Sequence, residues 1–235
     1  MPVLKLRQWL GIELIEVSLT EKAVSALGGG LAILTLITLS TYAIPGGGAA
    51  ALIASMGASA VLLFGVPHGQ LSQPWPVIAG HGISAFMGVT CAQYIPSLPL
   101  AAAGAVGLSI AAMQQLKCIH PPGGATAFTA VMGGSAIHQL GYGFVFFPVL
   151  ANAAVMVLLA VLINYAFRWR RYPVALSRPA HPPPSSRPPD DSLPTHEEVI
   201  AAIRSLDSFV DISEDDLLRL VELLRSHPVA STQPS

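Results

Sequence analysis

The sequence predicts an all-α membrane protein, a polytopic bundle of six apolar helical segments followed by a short amphipathic helical tail. Charged residues make up 11% of the 235 residues, against about 25% in an ordinary soluble domain. From Ala23 to Phe167 the only Asp, Glu, Lys or Arg is Lys117, whereas a water-soluble surface needs many more. A proline-glycine signature also occurs twice, which is typical of membrane folds built from internal repeats.

The apolar stretches predict six segments, because a helix that spans a bilayer needs about 20 apolar residues. In chain order they are 23–44, 47–65, 77–95, 98–116, 123–137 and 142–167. Segments 2 and 5 are short, and a proline that ends the preceding helix stands before each. Their Gly, Ala and Ser residues allow the close backbone contacts by which membrane helices pack.

The repeated signature covers residues 45–60 and 121–136, and ten of its sixteen aligned positions are identical. Met56 matches Met132 and Ser59 matches Ser135, so the likeness extends beyond Ala and Gly. The first repeat would then be 23–95 and the second 98–167. Each has three spans, an odd number, so we expect two inverted three-helix repeats.

The two ends of the chain carry most of the charges. Residues 1–22 lack an apolar core and predict an amphipathic N-terminal segment, not a cleavable signal. The proline-rich residues 172–194 predict an extended linker. Capping boxes within 195–227 predict a cytoplasmic two-helix tail, and 228–235 a disordered end. The apolar faces of the tail can dock on each other, on the bundle or on another copy of the chain, which leaves a homo-oligomer open.

Lys and Arg flank the apolar region on both sides. Lys5, Arg7 and Lys22 precede segment 1, and Arg168, Arg170 and Arg171 follow segment 6. The positive-inside rule therefore predicts that both termini are cytoplasmic, and we expect a bacterial inner (plasma) membrane.

The most informative local motif leads into segment 5. Gly123 and Gly124 lack side chains, so an anion can reach the N–H groups and partial positive charge of a helix N-terminus. Lys117 and His120 can add positive charge, and Thr126 adds a hydroxyl. The alternative is a tight turn between two helices, with a lysine at the membrane interface.

A second polar string, residues 67–76, joins segments 2 and 3. Polar, proline-rich backbone is tolerated where it lines a cavity or lies at the surface. By the predicted orientation, it is on the same side as His120. Gln73 belongs to it, and His81 follows inside segment 3. A histidine inside a span is unfavourable unless paired, which makes His81 a functional candidate. The alternative is a core histidine bonded to a carbonyl.

The sequence gives little support for a metal site, an enzyme, a disulfide framework or nucleic-acid binding. The four histidines of the apolar region lack metal-ligand spacing and carboxylate neighbours, so we expect no metal and no other cofactor. No carboxylate pair lies in the membrane part, and the chain is not expected to be an enzyme. Two cysteines give no disulfide framework, and no basic run indicates nucleic acid.

The motif His120-Pro-Pro-Gly-Gly-Ala-Thr-Ala127 resembles the signature of the HPP family of integral membrane proteins from bacteria and plastids. The string from Gln73 to His81 is similar to that family's second recurring segment, and the resemblance covers about residues 15–170. It implies a membrane protein, described as four-span. Some cyanobacterial and plastid members are implicated in nitrite transport.

The leading hypothesis is a transporter or channel in the lipid bilayer for a small, nitrite-like anion. The rival is a non-transporting membrane scaffold whose cytoplasmic tail recruits a partner. If segments 2 and 5 cross fully, the two proline-glycine strings lie at opposite surfaces, and a shared midplane site needs half-spans. The predicted binding residues are His120, Pro121, Pro122, Gly123, Gly124, Thr126, Lys117, His81 and Gln73, with Gly47 and Gly48 from the first copy.

Overall fold

A computed structural model describes residues 17–43 and 48–176, without the side chains of 42–43 and 48–53. The chain divides into two units, one covering 22–178 and the other 1–21 with 179–235. Most of the second unit lies outside the described residues. The predictions for residues 1–16, for the linker beyond 176, for the tail at 195–227 and for Gly47 therefore fall outside them too.

The described residues form seven α-helices joined by short turns. The α-helices are α1 (Leu19–Ala43), α2 (Gly48–Ala60), α3 (Pro74–Tyr94), α4 (Leu98–Gln115), α5 (Pro121–Met132), α6 (Ser135–Leu140) and α7 (Ala151–Tyr165). π-helical turns at Val61–Gly65 and Val145–Leu150 extend α2 and precede α7, and 3₁₀ turns occupy Gln70–Ser72, Arg168–Arg170 and Val174–Leu176.

The predicted all-helical membrane bundle is confirmed, since helices stand at all six predicted segments. Four are long and apolar enough to span a bilayer: Leu19–Thr41, Pro74–Tyr94, Leu98–Gln115 and Val145–Tyr165. α5 has 12 residues and rises roughly 18 Å, short of a hydrocarbon core about 30 Å thick. The inverted-repeat arrangement is not confirmed and stays a prediction.

Two predicted segments are interrupted. Segment 5 was expected to run through residue 137, but α5 ends at Met132 because Gly134 has φ 77°, which favours glycine. Segment 6 was expected to be one helix, but Phe147 has φ −135° and ψ 120° before Pro148. Proline has no N–H to donate and crowds the preceding turn, so the helix restarts at Ala151.

Glycines allow α3 and α5 to pack in backbone contact. A Cβ on Gly88 would lie 2.6 Å from the carbonyl oxygen of Ala127. A Cβ on Gly80 would lie 2.7 Å from the Cβ of His120, and one on Gly123 would lie 2.7 Å from the Oγ of Ser84. This contact fixes the start of α5 against the first half of α3.

The chain after α7 folds back onto the loop between α2 and α3. The Tyr172 hydroxyl is buried and donates to the Ser72 carbonyl at 2.8 Å. Burial raises the pKa of Tyr172, so this hydroxyl stays a protonated donor. The Val174 N–H donates to Gln73 Oε1 at 3.1 Å. Residues 172–176, the start of the predicted linker, therefore pack against the bundle.

Candidate functional site

Four polar side chains meet inside the bundle. They are Ser59 near the end of α2, His81 in α3, His120 immediately before α5, and Thr126 in α5. None exposes more than 1% of its surface. Ser59 comes from α2 and His81 from α3, whereas His120 and Thr126 both come from the start of α5. The cluster therefore forms only when these three helices are docked.

The hydroxyl of Ser59 bridges the two imidazole rings. Ser59 Oγ lies 2.8 Å from His81 Nε2 and 2.9 Å from His120 Nε2. The outer nitrogens are also occupied: His81 Nδ1 lies 2.7 Å from Thr126 Oγ1, and His120 Nδ1 lies 2.9 Å from the carbonyl oxygen of Leu71. The rings meet edge to face, with centroids 4.9 Å apart.

One end of this chain fixes the direction of every hydrogen bond when both imidazoles are neutral. A carbonyl oxygen only accepts, so His120 Nδ1 carries a proton and donates to Leu71. His120 Nε2 is then an acceptor, and the Ser59 hydroxyl donates to it. Ser59 Oγ accepts from His81 Nε2–H, and His81 Nδ1 accepts from Thr126. The two histidines therefore hold opposite tautomers.

The cluster has no acidic partner within the described residues, where Glu21 is the one carboxylate. Lys117 is exposed, at φ 53° in the turn after α4. No group of three or more His, Cys, Asp or Glu in the described part of the chain is arranged to hold a metal ion. The arrangement can therefore hold and exchange a proton, and a positive charge on either ring would need a counter-charge that the described residues do not supply.

The structure brings together some of the predicted binding residues. His81, His120 and Thr126 are in the cluster, and Gly123 supports it by packing on α3. The sequence predicts that the loop at Gln70–Ser72 lies on the same side of the membrane as His120. In the structure the two are in direct contact through the Leu71 carbonyl.

Other predicted residues lie elsewhere. Gln73 is not in the cluster, because its Nε2 donates to the carbonyls of Pro67 and Gly69 at 3.1 and 2.9 Å and its Oε1 accepts from Val174. Gly48, the first residue of α2, is separated from Ser59 by a rise of roughly 17 Å along the helix. Contact with His120 of the second copy is thus made by Ser59, near the end of the first copy's helix. Pro121 is exposed, Pro122 is buried and Gly124 is half-buried.

The start of α5 offers no open set of amide donors. Pro121 and Pro122 have no N–H, and the Gly123 N–H donates to the His120 carbonyl at 2.8 Å. In α-helical geometry the Gly124 amide points four residues back, at that same carbonyl. Gly80 and Gly123 have no side chain, which lets α3 and α5 approach each other closely. The polar atoms that a ligand could contact here therefore belong to side chains and not to the helix amides.

Ser59 is the member that the sequence did not single out. Serines are common in these apolar helices, and a buried serine can simply bond its own backbone, as Ser109 does with the Ala105 carbonyl at 2.6 Å. Its match to Ser135 in the repeat was a signal, but Ser135 begins α6 and is not part of the cluster. The docking of α2 on α5, which no local pattern encodes, is what gives Ser59 its two partners.

Comparisons with known proteins agree with this membrane bundle. The profile of the HPP transmembrane region family matches residues 15–173. Two transmembrane proteins of Dictyostelium discoideum are similar to the chain over 127 residues. One is 43% identical, covering 52% of this chain and 44% of the relative. The other is 40% identical, covering 52% of this chain and 40% of the relative.

The chain thus spans less than half the length of these curated relatives. No solved structure gives a significant match.

Proposed function

Because the chain belongs to the HPP transmembrane region family, we propose that it transports a small inorganic anion of the nitrite class across a membrane. The observation that carries this proposal is the cluster of Ser59, His81, His120 and Thr126, buried inside an apolar bundle. Ionisable residues within membrane spans are rare and tend to mark the paths of ions and substrates.

The chemistry of the cluster favours an anion over a cation. Its hydroxyls and imidazoles can donate hydrogen bonds, and no carboxylate is present between Lys22 and Asp190 to attract a cation. A proton added to either imidazole would create a positive charge in a low-dielectric interior, which an anion would neutralise. The two imidazole rings are separated by the single hydroxyl of Ser59, so the site suits a small anion.

The proposal also includes an orientation. Four spans, like six, bring the two ends of the bundle to the same side of the membrane. Lys22 precedes the apolar part of α1, and Arg168 and Arg171 follow α7. The positive-inside rule then puts both ends in the cytoplasm, and we assign the protein to a plasma membrane.

Uptake by liposomes that contain the purified full chain tests the proposal. We expect nitrite influx above that of protein-free liposomes, and a loss of roughly 100-fold in His120→Ala, which removes an ionisable partner. His138→Ala is the matched control, since His138 is exposed on α6 and bonds the Val131 carbonyl. Absence of flux for nitrite, nitrate and formate alike would overturn the proposal. Equal flux in wild type and His120→Ala would remove the cluster from it.

A further inference from the structure

We infer that Ser59 is the central hydroxyl of a proton relay between His81 and His120, through which one proton crosses with each transported anion. The inference rests on the proposed function and adds the coupling ion. Its basis is the unbroken chain from Thr126 through His81, Ser59 and His120 to the Leu71 carbonyl, in which each contact measures between 2.7 and 2.9 Å.

Both hydroxyls of the chain have a second acceptor, which lets the chain reverse. Ser59 Oγ also lies 3.3 Å from the Ser55 carbonyl, and Thr126 Oγ1 lies 3.4 Å from the Pro122 carbonyl. When His81 Nδ1 carries a proton, Thr126 can accept from it and turn its own hydrogen to Pro122. The hydrogen bonds of the reversed chain are therefore satisfied while His120 is protonated on both nitrogens, without a change in the backbone.

The transfer is a balanced exchange of protons. A proton from water reaches His81 Nδ1 and makes that ring an imidazolium. The Nε2 proton of His81 then moves to Ser59 Oγ while the Ser59 hydroxyl proton moves to His120 Nε2. His81 is left neutral with its proton on Nδ1, Ser59 is again a hydroxyl, and His120 is the imidazolium. No electron is gained or lost, and the proton leaves from His120 Nε2 to the anion or to water, so that Nδ1 keeps its hydrogen bond to the Leu71 carbonyl.

The surroundings limit the pair to one excess proton. The ring nitrogens contact the hydroxyls of Ser59 and Thr126 and the Leu71 carbonyl, none of them ionisable at neutral pH. Cys118, two residues before His120, is buried, and Lys117 beside it is exposed. Two imidazolium rings with centroids 4.9 Å apart would repel strongly in this interior. A single excess proton with a monovalent anion is electrically neutral, so the two would move together.

The test measures nitrite and protons together in liposomes that contain the full chain. An inward nitrite gradient is imposed with the membrane potential held at zero, and a trapped dye reports internal pH. After subtraction of protein-free liposomes, we expect acidification to accompany nitrite uptake at about one proton per anion. Ser59→Ala should slow both by roughly 100-fold, the scale of a lost proton-transfer group. Ser109→Ala removes an equally buried hydroxyl outside the cluster and should behave as wild type.

The outcomes separate this inference from the proposed function. Nitrite uptake without acidification would overturn the relay and leave anion transport standing. Absence of nitrite uptake would overturn both. Wild-type coupling in a folded Ser59→Ala would also overturn the relay. If Ser59→Ala fails to fold, Ser59→Cys replaces it, because a thiol of similar size is only a weak donor. Slower coupled uptake supports the relay, and an unchanged rate contradicts it.

Discussion

Gly123 and Gly124 are neighbours in sequence but have opposite surroundings. A Cβ at Gly123 would lie 2.7 Å from Ser84 Oγ and 3.0 Å from the Gly80 carbonyl, whereas a Cβ at Gly124 would meet nothing within 4 Å. The first glycine is needed for the contact between α3 and α5. The second has room for a side chain.

Alanine substitutions at these two positions should therefore differ. Gly123→Ala should destabilise the bundle by about 1–3 kcal/mol, because the added methyl would meet the Ser84 hydroxyl and the Gly80 backbone carbonyl, which leave little room to relax. Gly124→Ala should stay within about 0.5 kcal/mol of wild type. Thermal unfolding midpoints in detergent measure the difference. Equal stability, with transport lost in both variants, would instead indicate that a ligand contacts the two glycines.

At the scale of single residues, the sequence predicts part of the buried cluster. His81 and His120 stand out because polar rings are rare in apolar segments, and Thr126 follows from the same motif. Ser59 does not stand out, because its two partners depend on how α2 docks. Gln73 was assigned to the site from its polarity, but its amide is fully engaged in the loop at 67–73 and the segment after α7.

At the scale of elements, Arg170 joins three parts of the bundle that are distant in sequence. Its guanidinium donates to Ser25 Oγ in α1 at 2.9 Å, to the Phe64 carbonyl in the π-helical turn at 2.6 Å, and to Asn164 Oδ1 in α7 at 3.2 Å. Asn164 in turn donates to the Leu63 carbonyl at 3.2 Å. The irregular turn after α2 exposes carbonyls, and these side chains satisfy them.

Arg170→Ala should consequently destabilise the bundle by on the order of 3 kcal/mol, since it leaves buried acceptors without donors. Arg168→Ala is the control, because Arg168 is exposed two residues earlier and its loss should be nearly neutral. Unfolding midpoints of the two variants, compared with wild type, measure this. A neutral Arg170→Ala would show that the turn at Val61–Gly65 does not depend on the guanidinium.

Helix boundaries followed from the sequence to different degrees: α4 begins at the predicted Leu98, whereas α3 begins at Pro74, three residues before the predicted start. Proline near the start of α4 and of α5 marks both starts, because it lacks an N–H that the first turn does not use, although α5 begins at Pro121 and was predicted from Gly123. The end of α5 was placed too late, since a Gly133-Gly134 pair can continue a helix or break it and only the packing of α6 decides. Arg170 was counted among the positive charges that predict the cytoplasmic side, and the structure shows that it exposes only 1% of its surface.

At the scale of the whole molecule, the family match over residues 15–173 nearly coincides with the compact unit at 22–178. The residues that carry the proposed transport all lie inside that unit. The segment from Tyr172 to Leu176 also belongs to it, through the bonds to Ser72 and Gln73.

Removal of residues 179–235 should accordingly leave nitrite uptake within about twofold of the full chain, because every residue of the cluster lies within 22–178. Uptake in liposomes, normalised to inserted protein, measures this. If the chain were a scaffold that recruits a partner through its tail, neither protein would transport, and the cellular phenotype would vanish with the tail.

The most direct test of the buried relay is the tautomer of each histidine. Nitrogen-15 spectra of the full chain in bilayers, assigned with His81→Asn and His120→Asn, distinguish a proton on Nδ1 from one on Nε2. We predict Nε2–H for His81 and Nδ1–H for His120 at neutral pH, with both signals shifted by Ser59→Ala and unmoved by Ser109→Ala. The same tautomer at both rings, or nitrogen-15 spectra that do not change in Ser59→Ala, would contradict the relay.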